Sequence, residues 1–199
     1  MRTNSMAIKR IIAAISFWAV ILVATVAYCS PIDRWNSISQ KATAHLSWAK
    51  DVVAHTEGSP VISPLWVCVK EEHLLFGLDG TSKTVFAVWP VATGRVKGQK
   101  QKVGDMRTPE GDFTVQRIDD ASFWQPYKDK KTGETIGYGP WFIRIKTPPW
   151  TGIGIHGTDD DHLHEIGTDA SHGCIRMANH SLLELKALVA PGQRVIILP

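Results

Sequence analysis

The sequence predicts a mainly β domain of sandwich or small-barrel type with one or two packed helices, preceded by an N-terminal transmembrane helix and a helical stalk. Three observations predict it. Short β-prone runs, separated by glycine- and proline-rich segments, fill residues 64–199. One strong helical periodicity interrupts them near the C-terminus. A long apolar run follows a basic segment at the N-terminus.

The 199 residues suffice for one globular domain plus accessory segments. Net charge is +3, too small to argue for nucleic acid as a partner. The basic runs 99–102 and 128–131 read as solvated loops.

Residues 1–10 carry Arg2, Lys9 and Arg10 and no acid, as a cytoplasmic n-region would. Residues 11–28 then form the expected anchor, with Ser16 and Thr25 as the polar side chains of its apolar stretch. As a helix that stretch would span about 26 Å, slightly short of a hydrocarbon core of about 30 Å. Positive charge before the span places everything after it outside the cytoplasm. A cleaved signal peptide and a lipoprotein signal ending at Cys29 are the rival readings. All three deliver the domain beyond the membrane.

Residues 29–63 read as a helical stalk or linker. Ser30 can cap, Pro31 suits the first helical position, and Asp33 favours the positive end of the dipole. Apolar residues then recur from Trp35 to Val53 at helical spacing, and Gly58-Ser59-Pro60 ends the pattern.

The body begins at residue 64. Residues 65–70 (LWVCVK) and 73–78 (HLLFGL) read as a hairpin about Glu71-Glu72. A third strand covers 84–92 (TVFAVWPVA), where Pro90 indicates an edge or a bulge. Further strands cover 113–118, 141–146, 153–155 and 194–198. Asn179 is the expected N-cap of a helix whose apolar face holds Leu182, Leu183, Leu185, Leu188 and Val189, ended by Pro191-Gly192. Cys29, Cys68 and Cys174 make no disulfide framework. Cys68 sits among strand residues and reads as a small buried hydrophobe. Most of the eight tryptophans are expected in the core. Trp124, Trp141 and Trp150 flank loops and are candidate cleft walls.

Residues 155–177 (IHGTDDDHLHEIGTDASHGCIRM) concentrate the reactive side chains, with one cysteine and four of the eight histidines. A free thiol titrates near about 8.5, so Cys174 needs a base to act as a nucleophile. His156 and His172 are both candidate bases. Gly157 and Gly173 let the backbone turn sharply and aim N–H groups at an oxyanion.

These residues resemble the L,D-transpeptidase catalytic domain, the YkuD-like family of bacterial cell-wall enzymes. The pattern reads His156, a loop, then Ser171-His172-Gly173-Cys174-Ile175-Arg176. The resemblance extends to 108–113 (TPEGDF) and 90–94 (PVATG) and covers roughly residues 64–199. Arg176 stands where many members carry asparagine, which touches substrate positioning. The resemblance implies Cys174 as nucleophile, His156 as base, and the Gly157 carbonyl as the group orienting its imidazole. It implies an oxyanion hole from the N–H groups of His172, Gly173 and Cys174. The His172 side chain would support the loop or stand near the thiolate. Arg176 suits a substrate carboxylate because its planar fork matches one. Ser171 is a further substrate-side residue, and Tyr138 a candidate cleft wall or oxyanion donor.

The activity so implied is acyl transfer on peptidoglycan stem peptides, with donor and acceptor stems as partners and 3→3 cross-links as product. Hydrolysis of the same acyl-enzyme would make an L,D-carboxypeptidase. The expected location is the bacterial cell envelope, anchored in the inner membrane with the domain in the periplasm. The implied chemistry needs no cofactor and no metal. The acidic loop 159–165 offers His162, His164, Asp159 and Asp161 as metal donors, but without spacing typical of structural zinc. It reads as a solvated substrate lid. An inactive peptidoglycan-binding module and a general cysteine peptidase are the other classes weighed. The order of His before Cys argues against the papain-like kind.

Overall fold

The computed structural model describes residues 64–81, 84–130 and 133–199. The expected anchor and stalk, at 1–63, lie outside the described residues. No helix among the described residues is long and apolar enough to cross a membrane. The described part falls within the compact unit Leu46–Pro199.

Eight strands form one mixed sheet. In chain order they are β1 (Leu65–Val69), β2 (Leu74–Asp79), β3 (Thr84–Pro90), β5 (Gly111–Asp120), β8 (Trp141–Lys146), β9 (Gly154–His156), β11 (Ile175–Arg176) and β12 (Arg194–Leu198). Their spatial order is β11-β9-β8-β5-β12-β1-β2-β3. Two ribbons stand apart: β4 (Thr93–Gly94) with β10 (Asp169–Ser171), and β6 (Tyr127–Lys128) with β7 (Thr135–Ile136). The sheet curls as an open half-barrel, and among the described residues no second sheet of comparable size faces it. The barrel-like expectation therefore describes the domain better than the sandwich.

Strand burial follows position in the sheet. β1 lies between β12 and β2 and is buried along its whole length, which explains its unbroken apolar run. β3 is an edge strand, as Pro90 foretold, and six of its seven residues are exposed or partly exposed. Trp66, Cys68, Leu75, Ile143, Ile155, Ile175 and Ile197 form one core cluster with Leu182 and Leu185 of the helix. Each fully buried aliphatic side chain contributes roughly 1.5–3 kcal/mol. Trp66 is fully buried, and its Nε1 donates to Gln193 Oε1 at 2.9 Å, so its polar edge is satisfied.

Helix α1 (Asn179–Leu188) packs against β8. Two expectations change here. The N-cap is Ala178, which offers no side-chain cap, and Asn179 begins the helix instead. The buried stripe is Leu182, Leu185 and Val189, whereas Leu183 and Leu188 are about half exposed. Those two fall to either side of the 182-185-189 face at about 100° per residue.

The basic run 99–102 is also not wholly solvated. Lys100 is buried and its Nζ pairs with Asp105 at 2.7 Å. A charge run read as solvated can thus hold one inward-facing member when an acid five residues on turns back to meet it.

Candidate active site

The two faces of β8 have different duties. Ile143 and Ile145 enter the core, while Phe142, Arg144 and Lys146 alternate onto the opposite face. On neighbouring β9, Ile155 enters the core and His156 takes the Phe142 side. The His156 imidazole stacks on Phe142 with centroids 5.5 Å apart and planes 7° apart. The Tyr138 ring meets it edge-on at 5.3 Å.

His156 is 4% exposed. Its Nδ1 lies 2.7 Å from the Gly157 carbonyl. A carbonyl only accepts, so Nδ1 carries the proton and the Nε2 lone pair is left to act as a base. Burial pushes the imidazole down to about 4, opposed by the Gly157 carbonyl and aided by the charge of Arg176. His156 is therefore neutral at physiological pH.

Three segments distant in sequence converge on the cysteine loop. β4 lies parallel to β10, pairing Gly94 with Ser171. The Gly94 N–H donates to Thr108 Oγ1 at 2.8 Å, joining the 90–94 and 108–113 segments. β11 lies parallel to β9, pairing Arg176 with His156. Gly173 turns the loop at φ +124°, and a Cβ there would stand 2.9 Å from the Arg107 carbonyl. Only glycine fits both conditions.

Cys174, His156, His172, Arg176, Tyr138 and Ser171 all line one cavity of about 240 Å³. The Cys174 thiol is partly buried and points its S–H at the Gly152 carbonyl, 3.4 Å away. Burial pushes this thiol up, while the Gly154 N–H and the charges of Arg144, Lys100 and Arg176 pull it down. The resting pair is thus neutral thiol and neutral imidazole.

Not every predicted side chain is free for substrate. The Ser171 hydroxyl donates to the Cys174 carbonyl at 2.5 Å and accepts the Gly173 N–H at 3.1 Å. It holds the turn, while the residue itself lines the cavity. The same bond occupies the Gly173 N–H, one of the three oxyanion donors that the resemblance implies. His172 Nε2 stands 3.0 Å from Asp129 Oδ2 without hydrogen-bond alignment, and its ring meets Tyr127 edge-on. Arg176 is 1% exposed and ion-paired through Nη2 with Glu165, while its Nε and Nη1 have no partner among the described residues.

The acidic loop is more than a solvated lid. It forms a 3-10 turn at Asp160–Glu165. Asp159 Oδ2 accepts the Gly137 N–H at 2.8 Å, and Glu165 holds Arg176. Of the three candidate tryptophans, Trp150 lines the cavity. Trp124 packs on Tyr138 and Phe142 behind it. Trp141 packs against the core beneath the Lys186 ammonium.

Sequence reasoning missed Lys100, Phe142 and Asn179. Lys100 also lines the cavity. Phe142 was legible in principle from strand alternation, since it opposes Ile143. Asn179 was noticed, but for a cap: its Oδ1 accepts the Thr158 N–H at 3.1 Å.

The sequence model described as YkuD: L,D-transpeptidase catalytic domain matches residues 65–197. Two similar curated proteins are both named "Putative L,D-transpeptidase YkuD". The one from Bacillus licheniformis is 29% identical over 111 residues, covering 56% of this chain and 52% of its own. The one from Bacillus subtilis is 27% identical over 113 residues, covering 57% and 54%. The chain thus spans about half the length of the curated relatives it matches. Three solved structures share the fold. L,D-transpeptidase 3 of Mycobacterium tuberculosis, in complex with a faropenem-derived adduct, has a TM-score of 0.50 at 19% identity, covering 69% of this chain and 60% of its own. A cysteine-to-serine mutant of the Enterococcus faecium L,D-transpeptidase has 0.51 at 22%, covering 69% and 50%. The catalytic domain of the E. faecium L,D-transpeptidase has 0.50 at 21%, covering 70% of this chain and all of its own.

Proposed function

The chain belongs to the YkuD family of L,D-transpeptidase catalytic domains, and on that premise we propose that it is a peptidoglycan L,D-transpeptidase with Cys174 as nucleophile and His156 as base. One observation carries the reading: the Cys174 thiol and a neutral His156, its Nδ1 proton committed to Gly157, line the same cavity.

Both groups rest uncharged, so the proton moves as the S–C bond forms rather than before. Cys174 attacks the amide joining the L-centre of a diamino acid to a terminal D-alanine. The thiol proton passes to His156 Nε2 and then to the leaving amine, and D-alanine departs. An acceptor amine resolves the thioester and yields a 3→3 cross-link. The N–H groups of His172 and Cys174 serve as oxyanion donors, each worth about 2.7–4 kcal/mol by deletion. Gly173 shapes their turn. Arg176 takes a stem-peptide carboxylate through Nε and Nη1, which have no other partner among the described residues. Tyr138 walls the cavity and His172 braces its rim. The same thiol would take a penem or carbapenem β-lactam, by analogy with similar proteins solved with a faropenem-derived adduct and with imipenem.

The segment 11–28 holds the protein in the inner membrane with the domain in the periplasm. Protease added to spheroplasts should degrade the domain; survival of the domain would overturn this location.

The central test incubates the protein with a purified disaccharide-tetrapeptide and weighs the products. A dimer lacking one D-alanine supports the transpeptidase. A tripeptide alone indicates an L,D-carboxypeptidase. Unchanged substrate that still binds indicates an inactive module and removes the proposal.

A further inference from the structure

A lysine stands beside the turn that carries the thiol. Lys100 lines the same cavity as Cys174, and its Nζ lies 3.7 Å from the point that a Cβ on Gly173 would occupy. Its seat is built by its own loop. Nζ pairs with Asp105 Oδ1 at 2.7 Å and donates to the Arg107 carbonyl at 3.3 Å. That carbonyl is the one packed against Gly173. Nζ also lies 5.7 Å from the centroid of the Trp150 ring, within cation–π range. The third ammonium N–H has no acceptor among the described residues.

Asp105 is anchored in turn. It accepts the N–H groups of Gln101 at 2.7 Å, Lys102 at 3.1 Å and Arg107 at 3.1 Å. Burial disfavours its charge, but these donors and Lys100 prevail and hold the carboxyl well below the usual range. Arg107 Nη1 lies 3.7 Å from the same carboxylate. One negative charge thus faces two positive ones, and the cluster is net positive. The side chains of Lys100 and Asp105 are 5% and 3% exposed, so water and salt screen their field weakly.

The proposed reaction has a use for that field. As Cys174 Sγ bonds the amide carbon, the carbonyl π pair moves onto oxygen and the thiol proton passes to His156 Nε2. The oxygen then carries the negative charge. The Gly173 N–H is committed to Ser171 Oγ at 3.1 Å, which leaves two of the three expected backbone donors. We propose that the Lys100 ammonium, seated by Asp105 against the Gly173 turn, stabilises this oxyanion in place of the missing donor. The inference rests on the reading of Cys174 as nucleophile. Lys100 keeps its proton throughout, and no bond to it forms or breaks. A charge fixed in advance needs no reorganisation as the oxyanion develops. Arg144 and Arg176 also act on the thiol, tied to Asp119 and Glu165. Of the three cations, Lys100 places its charge against Gly173.

Two reagents separate the oxyanion from the sulfur. Imipenem acylates through a tetrahedral oxyanion. Iodoacetamide alkylates sulfur at a saturated carbon and builds none. Intact-mass kinetics on the full chain compare the native protein with Lys100→Met and Lys100→Arg. Lys100→Met should slow imipenem about tenfold or more. It should slow iodoacetamide less, and Lys100→Arg should recover most of the imipenem rate. Lys100→Met strands the Asp105 carboxylate, so Lys100→Met/Asp105→Asn repeats the comparison with both charges removed and should show the same unequal loss. Imipenem acylation at the native rate in the double variant overturns the inference. So does an equal loss with both reagents, or a loss that Lys100→Arg leaves unrepaired, since Lys100 would then act through shape. If the native protein takes neither reagent at Cys174, the nucleophile reading falls and this inference falls with it.

Discussion

The side-chain oxygen of Asn179, the first residue of helix α1, accepts the backbone N–H of Thr158 at 3.1 Å. The same oxygen lies so close to Gly157 and Gly139 that a Cβ would come within 2.1 and 2.3 Å of it. The Gly157 N–H in turn donates to the Tyr138 carbonyl at 2.9 Å. The loop bearing the carbonyl that orients His156 is thus clamped from both sides.

Asn179→Ala should leave the Thr158 N–H without its partner and cost about 1–3 kcal/mol of stability. Asn179→Asp keeps an acceptor at that place and should lose less. Urea titrations of the three proteins check the order. Equal midpoints would mean that the clamp is idle.

Arg176→Gln should reduce kcat/KM for the tetrapeptide roughly ten- to a hundredfold, the size of a lost charge-assisted bond. Thermal melts separate this from unfolding, because the change also strands Glu165, its ion-pair partner. A donor whose terminal carboxylate is amidated should show a smaller drop. If both donors suffer alike, Arg176 acts through structure and not through the carboxylate.

Cys68 and Cys174 should differ in labelling by iodoacetamide. Cys68 is fully buried, and burial pushes its thiol up to about 12, offset in part by the charge of Lys70. Cys174 lines an open cavity. The native protein should be labelled at Cys174, and Cys68 should react after unfolding. Imipenem should acylate the native protein and leave Cys174→Ala unmodified. Mass spectrometry of the intact protein reads both, and an adduct on Cys174→Ala would reject the assignment of the nucleophile.

Acid should destabilise the protein through His156. Its imidazole titrates near about 6.5 when unfolded and about 4 when folded. The unfolded chain therefore takes up the proton first as pH falls. Stability is full above about 6.5 and declines towards about 4, by up to roughly 3 kcal/mol from this group. His172, lowered chiefly by burial, acts in the same direction. Denaturant melts at several pH values should show the decline, and His156→Asn should flatten it. The acid limb of kcat/KM should likewise lie nearer 4 than 6.5. A midpoint at the ordinary histidine value would argue that His156 is solvated.

Much of the site was legible before the fold. Gly173 was legible as a turn residue, and the structure holds it at φ +124° against the Arg107 carbonyl; His156 and Cys174, singled out by residue type, line one cavity. The strands were legible from runs and breakers, and the edge position of β3 from Pro90. The helix was legible in extent but not in detail. Asn179 looked like a cap because asparagine caps locally, yet its oxygen bonds a residue 21 positions upstream.

The sequence by itself determined the family and the β-rich frame, since both rest on residue identity and short-range spacing. Only the tertiary structure decided which groups are already taken. It assigned Ser171 and the Gly173 N–H to the turn, drew Lys100 inward to Asp105, and set its ammonium against Gly173. Those outcomes depend on contacts between segments far apart in the chain, where burial and partnering are set by the fold and not by the neighbours in sequence.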